Sequence, residues 1–167
     1  MRAKLDEEFR EFMSGRWVAM VRLAYALTGD LGHAEDVAQA AFAKAYASWS
    51  RVVRAGNPDA YVRRIVINEN LNRFRRNRVA ERLTDMPPDT GTPDPTGLVD
   101  DRSSLIPALQ RLGPRQRAVI VLRYWLDLSE TEIALTLDCP VGTVKSLASR
   151  ALTTLRASVE FAEGDLR

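Results

Sequence analysis

The chain has 167 residues, 46% of them hydrophobic and 28% charged, a balance that excludes a disordered chain and provides for one mid-sized domain or two small ones. Its single cysteine, Cys139, leaves no internal disulfide and no multi-cysteine zinc site. The net charge of +2 conceals an uneven distribution: residues 1–83 hold 15 basic and 10 acidic side chains, 84–101 five aspartates and no base, and 102–157 eight basic against four acidic. A polyanion is therefore expected to be gripped at two separate places.

Met1 leads into a charged amphipathic stretch with no apolar signal core, and no run of eighteen apolar residues follows. A cytoplasmic protein without membrane insertion is expected. Apolar residues recur at three and four, and no stretch alternates in the manner of a strand, which predicts an all-α protein.

In chain order, Leu5 to Leu27 reads as a helix through Phe9, Phe12, Met13, Val18, Val21, Leu23 and Ala24, with Gly15 as a break and Gly29 as its stop. Asp30 caps the next helix, which runs through Val37, Ala41 and Ala45 to Trp49, its alanines permitting close helix approach. Asn57-Pro58 supplies an N-cap and first helical residue for a helix reaching about Asn77. The strip from Thr84 to Asp101, with four prolines and two glycines, reads as a flexible acidic linker. Two small helical domains, 1–80 and 104–160, are thus expected on either side of a linker at 81–103.

In the second domain, Leu105 to Leu112 ends at Gly113-Pro114, and a helix follows from Arg115 to about Trp125. Ser129-Glu-Thr-Glu132 is a capping box flanked by Leu128 and Ile133, so a helix starts there and ends by Leu137. After Asp138-Cys139-Pro140, an amphipathic helix runs from Val141 to about Val159. This is the plan of a helix-turn-helix.

Two helix faces suit nucleic acid. On the last helix, Val144, Leu147, Ala148, Ala151, Leu152 and Leu155 share one side, leaving Gly142, Thr143, Ser146, Ser149, Arg150 and Thr153 on the other with Lys145 at its margin. That side is small, hydroxylated and basic, fit for phosphates and for base edges in a major groove. On the helix from Pro58, a polar row of Arg64, Asn68, Asn72 and Arg75 lies between two apolar stripes, Ile67, Leu71, Phe74 and Tyr61, Val62, Ile65, Val66. Arg63, Arg73, Arg76 and Arg78 add positive potential, and Tyr61 and Trp49 are candidates to stack on unpaired bases. The competing reading makes Asn68 and Asn72 buried links between helices.

The only histidine, His33, has no second His or Cys pair to complete a metal site, so no metal or other cofactor is expected. None of the GxSxG, GxxxxGKS, GxGxxG or HExxH patterns occurs, and enzymatic chemistry is not indicated.

Four segments, His33-Ala-Glu-Asp-Val-Ala-Gln39 with Phe42 and Tyr46, Ala60-Tyr-Val-Arg-Arg-Ile-x-x-Asn68, Gly113-Pro-Arg-Gln-Arg-Ala-Val-Ile-Val-Leu-Arg123, and Leu128-Ser-x-x-Glu-Ile-Ala134 with Val141-Gly-Thr-Val-Lys-Ser146, carry a resemblance across almost the whole chain. In this order they resemble the extracytoplasmic function (ECF) class of bacterial RNA polymerase sigma factors. The resemblance implies that Glu35, Asp36 and Gln39 dock on the clamp of the largest subunit of core RNA polymerase. Trp49 to Asp59 would contain the loop that captures a flipped base of the minus-ten element, with Arg51, Arg54 and Asn57 as candidate contacts. Tyr61, Arg64, Asn68, Asn72, Arg75 and Arg76 would track that element, and Thr143, Lys145, Ser146, Ser149 and Arg150 would read the minus-thirty-five element as duplex promoter DNA.

The resemblance also implies an anti-sigma protein as a further partner. Asp85, Asp89 and Asp94 either compete with nascent RNA in a basic channel or belong to a plain connector. Asp138 stands where the family commonly has glycine, which fits a positive φ, and Leu147 stands where arginine is frequent. The rival function is a stand-alone helix-turn-helix regulator.

Overall fold

The first helix passes straight through Gly15: α1 spans Arg2–Thr28. One glycine costs an exposed helix about 1 kcal/mol relative to alanine, too little to break 27 residues anchored by a buried C-terminal half. The structure is a computed structural model that describes residues 1–84 and 105–165, with side chains described for 1–83 and 105–158. All its regular elements among these residues are helical. The chain divides into two compact units, Met1–Val99 and Asp100–Arg167. The expected acidic linker, with Asp85, Asp89 and Asp94, lies outside the described residues except at its start.

In the first unit, Gly29 closes α1 at φ 69°, its N–H donating to the Tyr25 carbonyl, a conformation open to glycine without a Cβ clash. Asp30 then caps α2 (Leu31–Ala47), accepting from the His33 amide at 2.8 Å. Glu35 and Asp36 lie beyond the first turn of α2, so Asp30 alone performs the capping. Ala34, Ala38, Ala41 and Ala45 are all fully buried, and their small side chains let α1 and α2 pack closely.

Within residues 49–59, expected to contain a loop, Trp49–Arg54 is a short helix, α3. The chain bends only at Ser48 and again at Ala55, Gly56 and Asn57. Helix α4 (Pro58–Thr84) lies across α1 and α2 and buries Val62, Val66 and Ile67 completely. It continues past Asn77 because Val-Ala-Glu-Arg-Leu at 79–83 are not helix breakers and proline first appears at Pro87. From Phe74 to Leu83 every side chain is exposed.

The second unit begins with α5 (Leu105–Gln110) and α6 (Pro114–Ile120). A π-helical turn, Val121–Trp125, continues α6, with the Leu126 amide reaching the Val121 carbonyl at 3.1 Å. The expected capping box is present: Ser129 Oγ accepts from the Glu132 amide at 3.1 Å, and Glu132 Oε2 accepts from the Ser129 amide at 2.8 Å. It opens α7 (Glu130–Leu137), which closes on Asp138 in the left-handed region at φ 52°. Helix α8 (Val141–Asp165) extends beyond Val159 and buries Val144, Ala148 and Ala151.

Arg117 is 6% exposed and acts as a brace between helices. Its Nε donates to the Leu109 carbonyl at 2.9 Å, and its Nη2 to the carbonyls of Leu112 at 3.0 Å and Gln110 at 3.4 Å. These groups at the end of α5 have few intrahelical partners. Burial pulls the guanidinium pKa down to about 10, so it remains charged at neutral pH. Arg117→Leu deprives the carbonyls of this donor, and urea titration is expected to show a loss of about 2–3 kcal/mol for the second unit.

Candidate nucleic-acid interface

Helix α4 separates its charges by direction. Arg64, Asn68, Asn72 and Arg75 are all exposed along one side, with Arg76 beside them. Asn68 and Asn72 are therefore surface groups and not buried links; the buried asparagine of α4 is Asn70, 5% exposed. Two of the three acids of this helix are engaged by other side chains, and the third, Glu81, is exposed near its end. Asp59 takes Arg16 of α1 at 2.5 Å and Arg63 at 3.6 Å, while Glu69 pairs with Lys44 of α2. The row thus keeps its positive potential on a helix that also contains carboxylates.

At the start of α4, Asn57 Oδ1 accepts from the Ala60 amide at 3.1 Å, which fixes the cap and commits this oxygen to the backbone. Arg51 and Arg54 are exposed on α3, held by local bonds to Ser48 Oγ at 3.1 Å and the Ser50 carbonyl at 3.2 Å. Tyr61 is half-buried.

Trp49 corrects the expectation placed on it. It is 4% exposed, with its ring 5.0 Å from Phe12 and 5.2 Å from Phe9, so it belongs to the aromatic core and offers no face for a base. Its indole Nε1 is buried without a hydrogen-bond partner among the described residues.

On α2, Glu35, Asp36 and Gln39 are exposed. Asp36 lies 3.7 Å from Arg73 of α4, a pairing between helices that periodicity does not reveal. Gln39 borders an open groove of about 700 Å³ lined largely by Phe9, Met13, Trp17, Phe42 and Tyr46. Tyr46 Oη donates to Asp6 Oδ1 at 2.8 Å, and that bond raises the phenol pKa.

In the second unit, Lys145, Ser146, Ser149 and Arg150 are exposed on α8, and Thr143 is half-buried. Leu147, Leu152 and Leu155 are only partly covered, so the apolar side is narrower than the periodicity suggests. Glu130 joins this face, meeting Arg123 at 2.6 Å and Lys145 at 3.8 Å; the bond to Glu130 raises the Arg123 pKa. Tyr124 and Trp125 stand out from the π-helical turn, 58% and 46% exposed. The sequence reading missed both features, since a π turn and a pair fifteen residues apart fall outside helical spacing rules. Among the described residues no group of three or more potential metal ligands occurs, and no helix is long and apolar enough to cross a membrane.

A cationic polar row on one helical unit and a helix-turn-helix on the other define a DNA-binding protein built from two helical modules. Residues 16–79 match the family model for sigma-70 region 2, and residues 102–155 that for sigma-70 region 4. The RNA polymerase sigma-E factor of Streptomyces avermitilis is 37% identical over 160 residues, covering 96% of this chain and 89% of its own. The ECF RNA polymerase sigma factor SigL of Mycobacterium tuberculosis is 31% identical over 144 residues, with 83% and 81% covered. Among solved structures, the sigma factor RpoE in complex with the anti-sigma factor NepR from Bartonella quintana matches with a TM-score of 0.74 and 25% identity, over 92% of this chain and 98% of that one. The chain belongs to the ECF class of RNA polymerase sigma factors.

The placement of Trp49 has a measurable consequence. Trp49→Ala is expected to cost the first unit about 3–5 kcal/mol. Trp49→Phe, which keeps a ring and removes the orphaned N–H, is expected to stay within about 1 kcal/mol of the native protein. Thermal and urea denaturation separate the two.

Proposed function

We propose that this sigma factor, which binds core RNA polymerase and directs it to promoters, divides the work among three surfaces. Glu35, Asp36 and Gln39 on α2 dock on the polymerase clamp. Arg64, Asn68, Asn72, Arg75 and Arg76 on α4, with Arg51 and Arg54 of α3, hold the minus-ten element as its strands part. Thr143, Lys145, Ser146, Ser149 and Arg150 on α8 read the minus-thirty-five duplex.

The observation that carries the assignment is the segregation on α4: four polar or cationic side chains exposed in a line while Asp59 and Glu69 of the same helix are engaged by other elements. Arginine and asparagine contribute charge-assisted bonds to phosphates and donor-acceptor pairs for base edges. Extruding a base costs a few kcal/mol, which such contacts offset.

The chain has no catalytic chemistry of its own in this reading; the polymerase supplies it, and both act in the cytoplasm. An anti-sigma protein is a further partner, since the RpoE relative was captured with the anti-sigma factor NepR. A stand-alone helix-turn-helix regulator would instead shift a specific duplex without polymerase.

Two experiments test the division. Combined Arg64→Ala and Arg75→Ala should lower promoter opening about tenfold or more, followed by fluorescence of an unpaired base analogue, while core binding by co-migration changes little. Equal loss of both would count against the assignment. Combined Lys145→Ala and Arg150→Ala should chiefly damage selection of the upstream element in transcription from a promoter library, each lost contact costing on the order of 1–3 kcal/mol; unaltered promoter choice would refute it.

A further inference from the structure

Glu130 follows the capping serine of α7 but takes no part in the capping box, whose carboxylate is Glu132. Its side chain is 27% exposed and lies between two cations from different elements. Oε1 accepts from Arg123 Nη1 of the π-helical turn at 2.6 Å, and Oε2 sits 3.8 Å from Lys145 Nζ at the start of the duplex-reading helix. One carboxylate thus ties α7, α8 and the π-helical turn together beside the face assigned to DNA. The other acids of α7 and its flanking turns are placed differently: Glu132 is occupied by the cap, and Asp127 and Asp138 occupy left-handed positions.

A carboxylate next to DNA opposes binding, so its presence among these cations calls for a compensating role. We propose that Glu130 is a specificity-determining residue for the upstream promoter element. It anchors the Lys145 ammonium in one orientation and offsets part of the charge of the Arg123 and Lys145 pair. The recognition helix then grips phosphates less indiscriminately and depends more on contacts that only the correct sequence supplies. The inference rests on the reading of Lys145 as a duplex contact.

The electrostatics give it a signature. Ionised Glu130 leaves the group of three with one net positive charge; glutamine in its place leaves two. Each additional cation set on a phosphate steepens the dependence of log K on log salt by about 0.9. A pair that served only to hold the helices together would change stability and leave this slope untouched. Partly exposed ion pairs contribute little to stability, so the variant should remain folded.

The test uses holoenzyme assembled from the full chain and core polymerase, titrated onto promoter fragments with matched or mismatched upstream elements between about 50 and 200 mM salt. Glu130→Gln is expected to steepen the salt slope by about one and to tighten binding to mismatched DNA. Matched DNA gains less, because Lys145 loses its anchor, and the matched-to-mismatched ratio falls by at least about threefold. Glu130→Asp, which keeps the charge, should retain most of the native ratio. Adding Lys145→Gln to Glu130→Gln should return the slope to its native value. If Glu130→Gln alters neither slope nor ratio, or lowers the ratio at an unchanged slope, while Lys145→Gln alone weakens binding, the inference is overturned and the duplex reading stands. If Lys145→Gln alone changes neither binding nor promoter choice, the duplex reading fails and the inference with it.

Discussion

The burial of Val62, Val66 and Ile67 is the constraint on which the first unit depends. These three side chains seat α4 on the bundle while the same helix presents a crowd of arginines to water. Two unit charges 4 Å apart repel by about 1 kcal/mol in water, whereas full burial of a valine or isoleucine stabilises by about 1.5–3 kcal/mol. Three such anchors outweigh several like-charge neighbours, so a cationic surface can be held in a fixed shape before any polyanion arrives. Arg16 and Lys44 assist by drawing two carboxylates of α4, Asp59 and Glu69, away from that surface.

The second unit meets the same demand with fewer apolar groups. Among the described side chains of its long helix, Val144, Ala148 and Ala151 are buried, two of them contributing only a methyl group. Polar bonds make up part of the difference. The capping box fixes where α7 begins, and Arg117 satisfies main-chain carbonyls that a larger core would have to shield. Both are directional, which places the helices of this unit more definitely than nonspecific burial would.

What could be read from the residues alone follows the range of the forces involved. Gly29, Asp30, the Ser129 box and Asp138 act within four or five residues, and each does what local rules require. The exposed row on α4 was legible because helical geometry sets it without help from neighbours. Trp49 was misread because an aromatic residue near basic ones looks the same whether it faces a base or the rings of Phe9 and Phe12. The end of α4 was placed too early because no residue between Asn77 and Thr84 marks one. The meeting of Asp36 with Arg73, and of Glu130 with Arg123 and Lys145, depends on how separate helices pack, and no spacing along the chain encodes it.

The wide turn at Val121–Trp125 carries a consequence for the phase of everything that follows it. A π turn is an α-helical turn with one residue to spare, and each residue advances a helix by about 100°. Deleting a single residue there would restore the ordinary pitch yet rotate the outgoing chain by more than a quarter of a circle. Arg123 would then part from Glu130, and the aromatic pair at 124 and 125 would face a new direction. The surplus residue acts as a spacer, setting the angular alignment between α6 and the helices that follow it.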